Sequence, residues 1–306
     1  MKRLIIISCM LVLSLPAIAH EYLSLDDVLV AFGLDIENTE VRSEALAPGI
    51  YNLRGVGGNI VASIGDQGVL LVDSQFPEMI PRVKRVISEL GGDGIDFTIN
   101  THWHFDHSDG NPVLGRDGTW MVAQENSRRM MTGEHPIDLV ALAYMQPAYP
   151  KEALPVITYR KQMQFHFNGE TIDLLHFGPA HTTGDTAVIF RKSNVVHMGD
   201  VLNQSYPFID AGNGGGIEGM ILFCEKVLAR IDENTKIVPG HGRVKTYKDM
   251  AAYIAMLDTV ATRISNMIDQ GMSLEQVIAA APTAEFDDQY GDPGTFINRA
   301  YVSLAR

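Results

Sequence analysis

Between Asn100 and Asn111 the chain reads Asn-Thr-His-Trp-His-Phe-Asp-His-Ser-Asp-Gly-Asn, so His102, His104, Asp106 and His107 fall within six positions. Neutral imidazoles and a carboxylate are the donors that borderline metals such as zinc take. On extended backbone alternate residues point the same way, so His102 and His104 can share one direction while Asp106 and His107 turn aside. Four donors in two directions point to two metal ions. The apolar run from Ile95 to Ile99 ahead of them and Gly110 behind set the donors on a tight loop after a strand.

Three later positions complete a pattern: His181 in Gly178-Pro179-Ala180-His181-Thr182-Thr183-Gly184-Asp185, Asp200 in Val196-His197-Met198-Gly199-Asp200, and His241 in Pro239-Gly240-His241-Gly242. With the first cluster they resemble the signature of the metallo-β-lactamase superfamily, over about Ile50 to Lys245. The resemblance implies an α/β chain folded as a four-layer αββα sandwich with its metals at the shared edge. It also implies that His102, His104 and His181 hold one zinc, that Asp106, His107 and His241 hold the other, and that Asp200 bridges the two. Two Zn2+ per chain would supply hydroxide at neutral pH and polarise a scissile carbonyl, with Asp106 orienting the attacking oxygen as the catalytic residue.

Departures from named subfamilies bear on the substrate. Many zinc β-lactamases have a cysteine where this chain has Asp200, and some have a lysine at the place of Asn203. Lactonases and thioester hydrolases have the aspartate, and lactonases place a tyrosine close to where Tyr206 stands. Asn203 and Tyr206 are therefore the expected substrate contacts. The reading is a hydrolase of an activated carbonyl in a small molecule: a cyclic amide such as a β-lactam, a lactone or a thioester. The rivals are a mononuclear-iron sulfur dioxygenase of the same fold, which would not need Asp106 and His241 as ligands, and a non-catalytic metal-binding protein.

The elements that must position these residues follow from periodicity. Ile50 to Arg54, Asn59 to Ile64 and Val69 to Asp73 read as hairpin-linked strands, and Gly55, Gly57 and Gly58 allow a close backbone approach, in a turn that the resemblance places at the rim of the metal cleft. Pro77 to Leu90 carries Ile80, Val83, Val86, Ile87 and Leu90 at helical spacing. A strand at Thr119 to Val122 and a helix at Gln124 to Met131 follow. Gly133 to Pro155 is less regular and reads as a packed connector or an apolar lid. Strands then recur at Met163 to Phe167, Glu170 to Phe177, Ala187 to Phe190, Val195 to Met198 and Lys236 to Val238. Helices are expected at Ser24 to Leu34, Ile217 to Ile231, Lys248 to Asp269, Leu274 to Ala281 and Thr295 to Leu304. The sequence thus predicts one catalytic domain, residues 20–306, in two halves of about 48–155 and 156–306.

Ligating imidazoles usually give their other N–H to a carboxylate or carbonyl, which makes Asp73, Thr101, Thr182 and Asp185 the candidate supports. His166, His176 and His197 read as hydrogen-bonded or surface residues rather than ligands.

Lys2 and Arg3, the apolar run Leu4 to Leu15 and the small residues around Ala17-Ile18-Ala19 predict a signal peptide over residues 1–19. The run is too short to span a bilayer, so no stable membrane insertion is expected after cleavage. The expected location is periplasmic or secreted. Cleavage leaves 22 Lys+Arg, two fewer than the 24 of the whole chain, against 37 Asp+Glu, a formal charge of −15. Such a surface repels phosphate backbones, so nucleic acid is not an expected partner. Cys224 is the one cysteine past the leader, which excludes an internal disulfide in the mature chain.

Overall fold

The structure is a computed structural model that describes residues 22–306. The expected signal peptide lies outside the described residues. In chain order the strands are β1 (Arg42–Ala47), β2 (Ile50–Arg54), β3 (Ile60–Gly65), β4 (Gly68–Val72), β5 (Phe97–Asn100), β6 (Trp120–Gln124), β7 (His135–Asp138), β8 (Ala143–Gln146), β9 (Ile157–Tyr159), β10 (Gln162–Phe167), β11 (Glu170–Leu175), β12 (Ala187–Phe190), β13 (Val195–His197) and β14 (Lys236–Val238). The helices are α1 (Leu25–Ala31), α2 (Ile80–Glu89), α3 (Phe105–Ser108), α4 (Asn111–Arg116), α5 (Glu125–Met131), α6 (Ile217–Leu228), α7 (Tyr247–Asp269), α8 (Leu274–Ala279), α9 (Asp287–Tyr290) and α10 (Gly294–Leu304).

Seven strands form one sheet in the order β1-β2-β3-β4-β5-β6-β9, and five form a second in the order β10-β11-β12-β13-β14. Period-two alternation makes each central strand face two cores at once. Leu70 and Val72 of β4 meet Val188 and Phe190 of β12 between the sheets. Val69 and Leu71 point the other way, onto Val83, Val86 and Ile87 of α2. Ala187 and Ile189 of β12 likewise turn outward to Met220 and Phe223 of α6 and Leu257 and Val260 of α7. Three cores between four layers make the αββα sandwich that the sequence predicts. Each fully buried aliphatic side chain among them contributes about 1.5–3 kcal/mol. The helix ends are set by local chemistry: Ser24 caps α1 through the Asp27 amide at 3.2 Å, and Thr246 with Asp249 forms a capping box on α7.

Three features differ from the sequence reading. Arg42–Ala47 forms the edge strand β1, where four of six residues are exposed and no alternation marks them. Within 133–155, β7 and β8 pair as a hairpin that buries Ile137 and Tyr144, a two-stranded element that the sequence reading leaves out. Ile157–Tyr159 pairs in parallel with β6, so the chain passes between sheets at residues 160–161 instead of near 155.

The donors stand at one edge because the strands end there. His102 follows β5, Asp200 follows β13, His241 follows β14, and His181 lies on the loop after β11.

Candidate metal centre

His102, His104 and His181 each bring one ring nitrogen within 4.8 Å of the others. Asp106, His107 and His241 form a second such group, and His102, His107 and Asp200 a third between them. Asp200 spans the two triads: Oδ1 lies 3.1 Å from His107 Nε2, and Oδ2 lies 3.8 Å from His181 Nε2. All seven donors of the sequence pattern are therefore brought together.

Which nitrogen faces inward is decided by what holds the other. His107 Nδ1 is 2.7 Å from Asp73 Oδ2, and His181 Nδ1 is 2.8 Å from the Phe208 carbonyl. His102 Nδ1 is 3.0 Å from Thr101 Oγ1, whose hydroxyl donates to Asp73 at 2.8 Å. His104 is reversed: its Nε2 is 3.1 Å from Asp210 Oδ2, leaving Nδ1 inward. Asp73 and Thr101 thus support imidazoles. Thr182 and Asp185 instead fold the His181 turn, with the Thr182 amide donating to Asp185 at 2.9 Å. Asp210 stands in a glycine-rich loop, where the Asn213 side-chain amide donates to it at 2.9 Å, and no local signal marks it as a partner of His104.

Backbone approach is close at two glycines. A Cβ on Gly58 would overlap the His107 ring, and one on Gly240 would overlap the Asp200 carboxylate. The same backbone closes the site, since the Gly58 amide donates to Asp106 O at 3.0 Å and the Asn59 amide to Gly240 O at 2.7 Å. Gln146 on β8, not anticipated, grips both sides of His104. It donates to Trp103 O at 2.7 Å and accepts from the Phe105 amide at 3.0 Å.

The donors fit metal ions on their own chemistry. His102 Nε2 is buried without a hydrogen-bond partner. His181 Nε2 lies 2.9 Å from His104 Nδ1, and His107 Nε2 lies 3.3 Å from His241 Nε2. Converging lone pairs in a buried site need a cation between them. Burial, with the charges of His107, His181 and His104, holds His102 well below the ordinary imidazole range. Burial and His104 push His181 down to about 4. At His107 burial is outweighed by Asp106, Asp200 and Asp73, and at His241 by Asp200 and Asp106, so both are raised. At Asp200 burial is outweighed by His241 and His107, which hold it well below the carboxylate range. Asp73, Asp106, Asp200 and Asp210 all contact these imidazoles, and among the described residues no lysine or arginine pairs with them. Two divalent ions would balance those four carboxylates.

A cavity of about 350 Å³ opens over Asp106, Asp200 and His241. Its other walls are mostly apolar, and no lysine or arginine lines it. Asn203 lies on this wall, but its Oδ1 accepts from the His241 amide at 2.9 Å, so it also fixes a donor loop. The Tyr206 ring borders the cavity while its hydroxyl donates to Asp287 Oδ1 at 2.8 Å, away from the donors. Among the other histidines, His197 Nε2 is 2.9 Å from Asn59 O and His176 Nδ1 is 2.7 Å from Asp185 O, so neither joins the cluster. His166 is exposed on β10.

The chain thus sets a cluster of histidines and aspartates, a candidate metal site, at one sheet edge of an αββα sandwich. The family model described as the metallo-beta-lactamase superfamily matches residues 53–241, and the chain belongs to that superfamily. Solved structures agree on the fold. The DIM-1 metallo-β-lactamase superposes with a TM-score of 0.57 at 17% identity, covering 72% of this chain and 98% of that one. A metallo-β-lactamase from Pontibacter korlensis gives 0.57 at 14%, covering 72% and 99%. The stereoselective inverting sec-alkylsulfatase Pisa1 from Pseudomonas sp. gives 0.65 at 14%, covering 85% of this chain and 50% of that one. Comparison with curated proteins gives no match. No helix among the described residues is long and apolar enough to cross a membrane.

Proposed function

We propose that this chain is a hydrolase that carries two Zn2+ ions and cleaves an activated carbonyl in a small molecule: a cyclic amide, a lactone or a thioester. The observation that carries the reading is the pair of donor triads, His102/His104/His181 and Asp106/His107/His241, joined by Asp200 beneath a substrate-sized cavity. When bound, the two ions supply an activated water and a Lewis acid for the carbonyl oxygen or leaving group.

The chain's own residues do the rest. Asp106 faces the cavity with 18% of its side chain exposed, 2.9 Å from His241 Nε2. It is placed to orient the attacking water and to hold its proton. The apolar walls would exclude bulk water from the reacting bond once a substrate fills the cavity. No side-chain nucleophile is required: Cys224 is buried in the α6 core, and Ser205 in the cavity has no imidazole or carboxylate partner among the described residues. A one-iron dioxygenase would leave Asp106 and His241 without a ligand role, so their contact supports two metals. Asn203 in place of a lysine argues for lactones and thioesters ahead of β-lactams. The amino-terminal pattern and the charge of −15 support an exported protein that acts on a small molecule and not on nucleic acid.

The test is turnover of a lactone, a thioester, a chromogenic β-lactam and a secondary alkyl sulfate, each before and after chelation. Chelator-sensitive hydrolysis of a carbonyl substrate supports the proposal. Turnover of the sulfate ester alone would replace it with sulfatase chemistry, and no turnover of any of the four would overturn it.

A further inference from the structure

Two segments that the zinc chemistry does not use build the outer wall of the cavity. Phe32 and Leu34 come from the stretch after α1, ahead of the family-matched residues, and Ile137 and Leu139 come from β7 and its turn. Val56 and Phe208 complete an apolar surface that runs to Asp106 and His241.

This wall is preformed. Phe32 ends α1, and the chain turns at Gly33 with φ +66°, closed by the Leu34 amide on Leu29 O at 2.9 Å. The Leu23 amide donates to Ala143 O at 2.8 Å, which ties the amino-terminal segment to the hairpin. Behind the hairpin, Asn213 donates to Pro136 O at 2.8 Å and Arg299, itself buried, donates to Asp138 at 2.7 Å. Arg82 on α2 holds Glu37 O at 2.7 Å and Thr39 O at 3.2 Å.

Despite that bracing, Phe32 is 52% exposed. Large apolar side chains left open at the mouth of a cavity are ready to be covered by a ligand. The charges at its floor are confined to the metal-ligand cluster, and no lysine or arginine on the wall would hold a carboxylate.

We propose that the substrate is a neutral carbonyl compound bearing an apolar alkyl or aryl substituent, and that Phe32, Leu34, Ile137 and Leu139 select it. This rests on the hydrolase reading above and names its substrate class. The substituent lies between the Phe32 stretch and the hairpin while the carbonyl meets the donors. Substrates whose recognition depends on a carboxylate are disfavoured at the same wall.

The test uses calorimetric titration of the full chain as purified with 2-alkylcyclopentanones, neutral ring ketones with no bond to hydrolyse. The Kd is expected to fall roughly fourfold per added methylene from methyl to butyl. Phe32→Ser and Leu139→Ser should each flatten that slope. Both positions are partly exposed, and circular dichroism confirms that each variant is folded. A Kd independent of chain length, or tighter binding of a cyclopentanone carboxylate than of the butyl ketone, overturns the proposal. Hydrolysis of the matching alkyl lactones separates the two claims. Turnover with a flat binding series sinks the apolar wall alone, whereas chain-length-dependent binding without turnover of any lactone, thioester or cyclic amide sinks the hydrolase reading alone.

Discussion

His104 Nε2 lies 3.1 Å from Asp210 Oδ2, and this contact turns His104 Nδ1 toward His181 Nε2 at 2.9 Å. The other imidazoles with an assigned support at Nδ1 are oriented the opposite way. Removing a carboxylate that orients a metal-ligating imidazole typically costs 10–100-fold in metal affinity. Asp210→Ala should weaken metal binding by about that factor, while Asp210→Asn, which can still accept from the ring, should lose less. Competition against a fluorescent chelator measures it, and equal affinity for both variants and the native chain would remove Asp210 from the account.

Gln146 joins the β7–β8 hairpin to the donor loop through Trp103 O and the Phe105 amide. Gln146→Leu has similar volume but leaves the Phe105 amide unpaired in a buried site, while Trp103 O keeps the Ser108 hydroxyl at 2.9 Å. A loss of about 1–3 kcal/mol is expected in denaturant unfolding, with weaker metal retention. Unchanged unfolding would mean that the loop is held without the hairpin.

Metal loading should depend on pH in two stages. Asp106 and Asp200 raise His107 and His241 despite burial, so protons compete with a metal there at higher pH than at an ordinary imidazole. Burial and neighbouring imidazoles lower His102 and His181, so no such competition arises at their site until stronger acid. As pH falls, the ion held by Asp106, His107 and His241 should leave first, with protons taking its place. Metal content after dialysis at stepped pH reads this directly, and simultaneous loss of both ions would contradict it.

Tyr206 donates to Asp287 Oδ1 at 2.8 Å and stacks on Phe296 at 4.9 Å between ring centroids. Tyr206→Phe keeps the ring and removes that bond to a carboxylate. Stability should fall by about 1.5–3 kcal/mol while the relative rates on different substrates stay the same. A changed substrate preference at unchanged stability would return the hydroxyl to the binding site.

The donor cluster was legible because spacing is local. His102, His104, Asp106 and His107 sit on one loop, and each later donor follows its own short apolar run. The alternation of Val69 to Val72 and of Ala187 to Phe190 likewise marks strands that face two cores. What stayed hidden depends on partners far away in the chain. Asp210 is a loop aspartate until His104 stands 106 positions earlier, and Gln146 is an ordinary strand residue until Trp103 lies beside it. The edge strand β1 has no buried face to impose a pattern, and β9 is only three residues long. Tyr206 was placed by its distance from Asp200 along the chain, but Asp287, a residue near the carboxy terminus, decides where its hydroxyl goes.

The central claim is two zinc ions per chain, with Asp200 shared between them. Its most direct test is elemental analysis of protein purified without added metal, alongside Asp200→Ala prepared in the same way. Two zincs per native chain, fewer than two in the variant, and hydrolysis abolished on chelation are the expected results. One iron per native chain without hydrolysis, or an unchanged metal count in Asp200→Ala, would contradict it.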